Sequence, residues 1–132
     1  MLNINAVNSD LKTKGTWAEF QGARFLVAYA RNTKYIAEMK ALSKPYEQAI
    51  KKDKLDPEVA NELYWKALAK TILLGWENIG DGENAVEYSV EVATSALLNN
   101  DDIREFVVAF SEDLSNYRDE EVAATVKKPV KA

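Results

Sequence analysis

The sequence predicts an α+β fold, mainly α-helical, with an N-terminal β-hairpin packed on about five helices. Three observations carry this reading. Residues 15–35 hold two short runs of aromatic and β-branched residues around Gln21-Gly22, a hairpin pattern. Most of the chain beyond Asn32 repeats apolar residues at helical spacing. Asp56-Pro57-Glu58 joins an N-cap residue, a proline at the first helical position and an acid at the positive end of the helix dipole.

In the hairpin, residues 15–30, period-2 alternation sets Trp17 and Glu19 on one face of the first run and Phe20 on the other. Phe25 and Val27 share a face in the second run, opposite Arg24 and Leu26, and are expected to be buried. A two-stranded hairpin is marginal alone, so it must pack on the helices. Residues 1–14 form a polar N-terminal segment; alternation of Leu2, Ile4 and Ala6 suits either a further strand or a frayed end.

The helices occupy residues 33–117. Asn32 or Thr33 caps the first, which runs to about residue 42 with Tyr35, Ile36, Met39 and Leu42 as its stripe. Lys44-Pro45 interrupts it. A short helix over 45–52 then buries Tyr46, Ala49 and Ile50. The helix opened by Asp56 is expected to continue to about residue 75, with Val59, Ala60, Leu63, Tyr64, Ala67, Leu68 and Ile72 on a broad apolar face. Trp65, Ala69, Leu73 and Trp76 form a second apolar line on it. That line suits a central helix packed on both sides, or a surface that meets another chain.

Residues 75–89 read as a glycine-rich loop. An EF-hand register on Gly82 puts Tyr88 at the closing glutamate position, so calcium is excluded there. Ser89 caps a helix with Val92, Ala96 and Leu97 inward. Asn100 opens the last one, with Ile103, Phe106, Val107, Phe110, Leu114 and Tyr117 as its stripe. Residues 15–117 therefore form a single globular domain, and residues 118–132 a flexible charged tail.

Composition restricts the chemistry. The 132 residues contain no cysteine and no histidine, which removes thiolate and imidazole catalysis and the usual zinc ligands. Net charge is −4, from 21 acidic and 17 basic residues. The basic clusters at 51–54 and 127–131 are short, so nucleic acid is not an expected partner. The longest apolar run, residues 25–30, is too short for a membrane span. Glu58 and Glu62 share a helix face, but carboxylates there are ordinarily just solvated. Ser43-Lys44 and Ser111 stand without a motif, and no phosphate-binding glycine loop is present. No catalytic, cofactor or metal residue is expected, and the chain is not read as an enzyme. Trp17, Trp65 and Trp76 suit a core better than a ligand pocket.

One ordered set of motifs remains. Trp17, Phe20 and Gly22 precede Arg24-Phe25-Leu26-Val27-Ala28; Asn32, Lys34-Tyr35 and Lys44-Pro45 follow. Then come Leu73-Leu74-Gly75-Trp76-Glu77, a Gly-Asp loop leading to Tyr88-Ser89, Glu105-Phe106-Val107 and a lysine-rich end. Over residues 15–120 this resembles the tail assembly chaperones of long-tailed bacteriophages and prophages. Tyr29, Thr33 and Glu87 depart from that pattern, standing where Arg, Pro and Pro are frequent.

The resemblance implies a non-enzymatic protein of the host bacterial cytoplasm, absent from the mature virion. Its partners would be the helical tape-measure protein and the tail-tube protein. A structural virion protein, such as a head–tail connector or tail-completion subunit, is the alternative. The expected partner-binding residues are Trp17, Trp65, Ala69, Leu73 and Trp76. The open hairpin edge also suits pairing with a second copy.

Overall fold

The computed structural model describes residues 9–118. The elements are α1 (Ser9–Lys14), β1 (Thr16–Phe20), β2 (Ala23–Val27), α2 (Thr33–Ser43), α3 (Glu47–Lys51), α4 (Pro57–Thr71), β3 (Leu73–Glu77), α5 (Val90–Asn99) and α6 (Asp101–Glu112). Turns of 3-10 helix occupy Lys44–Tyr46 and Leu114–Tyr117. The α+β, mainly helical class is as the sequence predicts. The suggested strand around Leu2, Ile4 and Ala6 lies outside the described residues, as does the charged tail beyond Arg118.

The polar N-terminal segment holds a helix that periodicity did not mark. Gly15 ends α1 at φ +88°, and its N–H donates to the Leu11 carbonyl at 2.8 Å. Glycine just past a helix end accepts this left-handed geometry without a Cβ penalty.

Gln21 and Gly22, at φ 51° and 83°, form the two-residue turn between β1 and β2. Both positive angles belong to a type I′ turn, whose twist matches that of the strands. The pairs run from Phe20 with Ala23 to Thr16 with Val27. The hairpin is not alone: β3 joins the far side of β2, giving an antiparallel sheet in the order β1-β2-β3.

This third strand corrects the sequence reading of a helix running to residue 75. α4 stops at Thr71, and Leu73–Glu77 is strand. Two facts explain it. Thr71 and Ile72 are β-branched and Gly75 is a weak helix former, so the helix loses propensity here. The strand also finds a partner in β2, where Phe25 pairs with Trp76 and Leu26 with Gly75.

The abrupt end of α4 would strand its last carbonyls. Tertiary donors meet them instead. The Tyr88 hydroxyl lies 2.7 Å from the Ala69 carbonyl oxygen and 2.8 Å from that of Leu73, with its one proton shared between them. The Asn32 amide donates to Thr71 at 3.2 Å, and the Ala28 N–H to Ile72 at 2.8 Å.

The core lies between the inner sheet face and helices α4, α5 and α6. Phe25 and Val27 are buried there as expected, with Leu68, Ile72, Leu73, Leu97 and Val107. Phe20 stacks on Phe106 with centroids 4.6 Å apart, which fixes α6 beneath the hairpin. On α5 the buried residues are Ala93 and Leu97, while Val92 is exposed, so the inward stripe is rotated from the predicted one.

The arm from α2 to α3 packs differently from expectation. None of its helical residues is fully buried, and Ile36, Tyr46 and Ile50 are exposed. Tyr35 meets Tyr64 edge to face at 6.5 Å, and Lys70 pairs with Glu38 at 3.3 Å. Among the described residues the arm's main neighbour is α4, and Ile36, Tyr46 and Ile50 are left uncovered.

Candidate functional interface

The outward side of α4 rises between α5 and α6. Trp65 sits on this ridge, half-buried, with its indole N–H donating to Asn61 Oδ1 one turn earlier at 2.9 Å. Its ring meets Tyr64 at 4.6 Å and lies under the Arg104 guanidinium at 5.6 Å. Arg104 is itself held: it donates to the Leu97 and Leu98 carbonyls at 3.1 and 3.2 Å and pairs with Asp101. It thereby caps the end of α5 while offering its face to Trp65.

Beside this pair a shallow cavity of about 300 Å³ opens, lined by Trp65, Arg104, Glu105, Val108, Ala109 and Glu112. Its floor is aromatic and aliphatic and its rim carries both charges. A second cavity, about 350 Å³, lies across the ridge between α4 and α5, lined by Glu62, Lys66, Val90, Glu91, Thr94 and Leu98. A third, about 210 Å³, separates the hairpin tip from the start of α6, with Phe20, Gln21, Asn78 and Asp102 among its walls.

Apolar floors with charged rims suit the side of an amphipathic helix. The tyrosines near the ridge are poor nucleophiles: burial first, and Glu112 second, raises the pKa of Tyr64, and burial then Tyr64 raises that of Tyr35. Among the described residues no group of three acids is placed to hold a metal ion, and no helix is long and apolar enough to cross a membrane.

The structure separates the five expected interface residues. Ala69 and Leu73 are fully buried in the core. Trp76 points from β3 to the inner sheet face, with its indole N–H on the Val86 carbonyl at 2.9 Å and its ring against Tyr88 at 5.4 Å. Only Trp65 stays on the outward side of α4. The predicted line required one continuous helix through residue 76, and the break at Thr71 turns its second half inward. Trp17 lies on the outer sheet face, 41% exposed, with the Arg24 guanidinium 4.5 Å from its ring centroid.

Sequence reasoning missed the α6 half of the groove. A signal was present: Val108 and Ala109 fall off the core stripe of α6, where Val108 is only partly buried against the core and Ala109 is exposed.

The model of one protein family, described as YdaY prophage protein, matches residues 30–128, most of the chain, and the chain belongs to that family. No curated protein and no solved structure matches the chain.

Proposed function

We propose that this member of the YdaY prophage protein family is a tail assembly chaperone, which binds an apolar helical segment of the tape-measure protein and promotes tail-tube assembly around it. Family membership makes it a prophage protein. The finer reading is supported by the motif resemblance and, above all, by the groove at Trp65. That groove offers an aromatic and aliphatic floor on an acidic body, which a long amphipathic helix needs to stay soluble. Trp65 contributes the anchor, Val108 and Ala109 the floor, and Arg104, Glu105 and Glu112 the polar rim. Trp17 is a second, separate contact. The protein turns over no small molecule, acts in the host cytoplasm and leaves before the virion is complete.

The test is co-expression with the tape-measure protein of the same prophage. Wild type keeps the client soluble and co-purifies with it. Trp65→Ala and Ala109→Asp lose both effects while their melting curves still show a folded domain. Wild type without effect on client solubility would overturn the reading. Stoichiometric protein in purified particles would replace it with a structural virion role.

A further inference from the structure

We propose that β1 is a dimerisation edge, pairing antiparallel with β1 of a second copy about a two-fold axis at Ala18. The backbone geometry sets the register. A two-residue type I′ turn closes on a pair that exchanges both backbone bonds, here Phe20 with Ala23. Alternation then turns Ala18 and Thr16 toward β2, and the N–H and C=O of Trp17 and Glu19 away from it. The Ala28 N–H, bonded to Ile72 at 2.8 Å on the β3 side, fits the same alternation. Among the described residues, none offers a backbone partner to the outer edge of β1.

These two outward residues flank Ala18 symmetrically, so the edge is complementary to its own inverse. Trp17 exchanges two bonds with the partner's Glu19, and Glu19 two with the partner's Trp17. Ala18 meets its own copy in a non-bonded pair, where the small side chain, 6% exposed, permits close approach. On the outer face the partner's Glu19 lands beside the Trp17 ring that carries the Arg24 cation, so charge is complementary. The two Trp17 rings lie on the diagonal, about 7–8 Å apart at the backbone, within aromatic reach. Dimerisation thus covers the exposed Trp17 and joins two sheets into one of six strands.

The Ala18 pair places Cα atoms about 4.5 Å apart, within the range a disulfide spans, whereas the diagonal Glu19 pair exceeds it. Ala18→Cys, in a chain without other cysteines, is expected to oxidise to a covalent dimer; Glu19→Cys is not. Wild-type protein is expected to sediment as a concentration-dependent dimer. Its Trp17 and Glu19 amides should exchange about tenfold more slowly at high than at low concentration. The exchange measurement stands even where Ala18→Cys fails to fold. A monomer at every concentration, fast exchange at both amides, protection independent of concentration, or equal cross-linking by Glu19→Cys would each overturn the proposal.

Discussion

The side-chain amide of Asn32 donates to the Thr71 carbonyl at 3.2 Å, joining two helix ends that lie 39 residues apart. The same amide donates to Tyr29 at 2.7 Å, and its oxygen caps α2 by accepting from the Tyr35 N–H at 2.9 Å. Asn32 is 2% exposed, so water cannot replace any of these bonds. One side chain therefore starts α2, ends α4 and closes the turn after β2.

Asn32→Ala removes a cap, worth about 1 kcal/mol, and leaves buried carbonyls short of donors at about 1–3 kcal/mol. A loss of about 3 kcal/mol in urea unfolding is expected. Asn32→Asp keeps the capping oxygen but places a carboxylate against two carbonyls, and it should be no less damaging at neutral pH. An aspartate variant as stable as wild type would show that the cap alone matters.

The hairpin, its turn and the caps at Asn32, Asp56, Ser89 and Asn100 were legible because each depends on a few adjacent residues. β3 was not. Leu73-Leu74-Gly75-Trp76 follows α4 in helical phase, and only the vacant edge of β2 makes it a strand. That preference lies in a tertiary partner fifty residues away, which local periodicity does not carry. The candidate groove shared this fate. Its α4 wall was anticipated at Trp65, but its α6 wall depends on how α5 sets α6 beside α4. The arm failed for a related reason: the stripe of Ile36 and Ile50 is amphipathic, yet no element among the described residues covers it.

Phe25 ties the sheet to the helices. It is 1% exposed, edge-on to Trp76 at 6.4 Å and tilted on Phe106 at 5.9 Å. Phe25→Ala should cost about 3–5 kcal/mol and leave little folded protein at 37 °C. A melting temperature unchanged from wild type would remove Phe25 from the core.

Two glycines near Leu26 should respond oppositely to a methyl group. At Gly15, φ is +88° and an added Cβ would lie 3.2 Å from Leu26 and from the Val27 backbone. Gly15→Ala is expected to cost about 1–2 kcal/mol, from left-handed strain and crowding together. At Gly75 the nearest atom is Leu26 Cβ at 3.9 Å, an ordinary contact. Gly75→Ala should therefore stay within about 0.5 kcal/mol of wild type. Equal effects in chemical denaturation would contradict these backbone geometries.

Alkaline pH should unfold the protein through Tyr117. Its side chain is fully buried, and its hydroxyl donates to the Val27 carbonyl at 3.0 Å. Burial, then Asp113 and Tyr29, raises its pKa far above the ordinary 10.0. Tyr35, Tyr64 and Tyr88 are raised too, burial being the main cause for each. Above about pH 10 the unfolded chain releases these protons while the folded chain keeps them, so the unfolded state is favoured. Their contribution is complete below the unfolded pKa and is lost as pH rises beyond it. Tyr117→Phe should lower stability by about 1–2 kcal/mol at pH 7, where the Val27 carbonyl loses its hydroxyl donor. It should also flatten the decline above pH 10, because a group that titrates only on unfolding is gone. Parallel stability curves for the two proteins above pH 10 would remove Tyr117 from the alkaline transition.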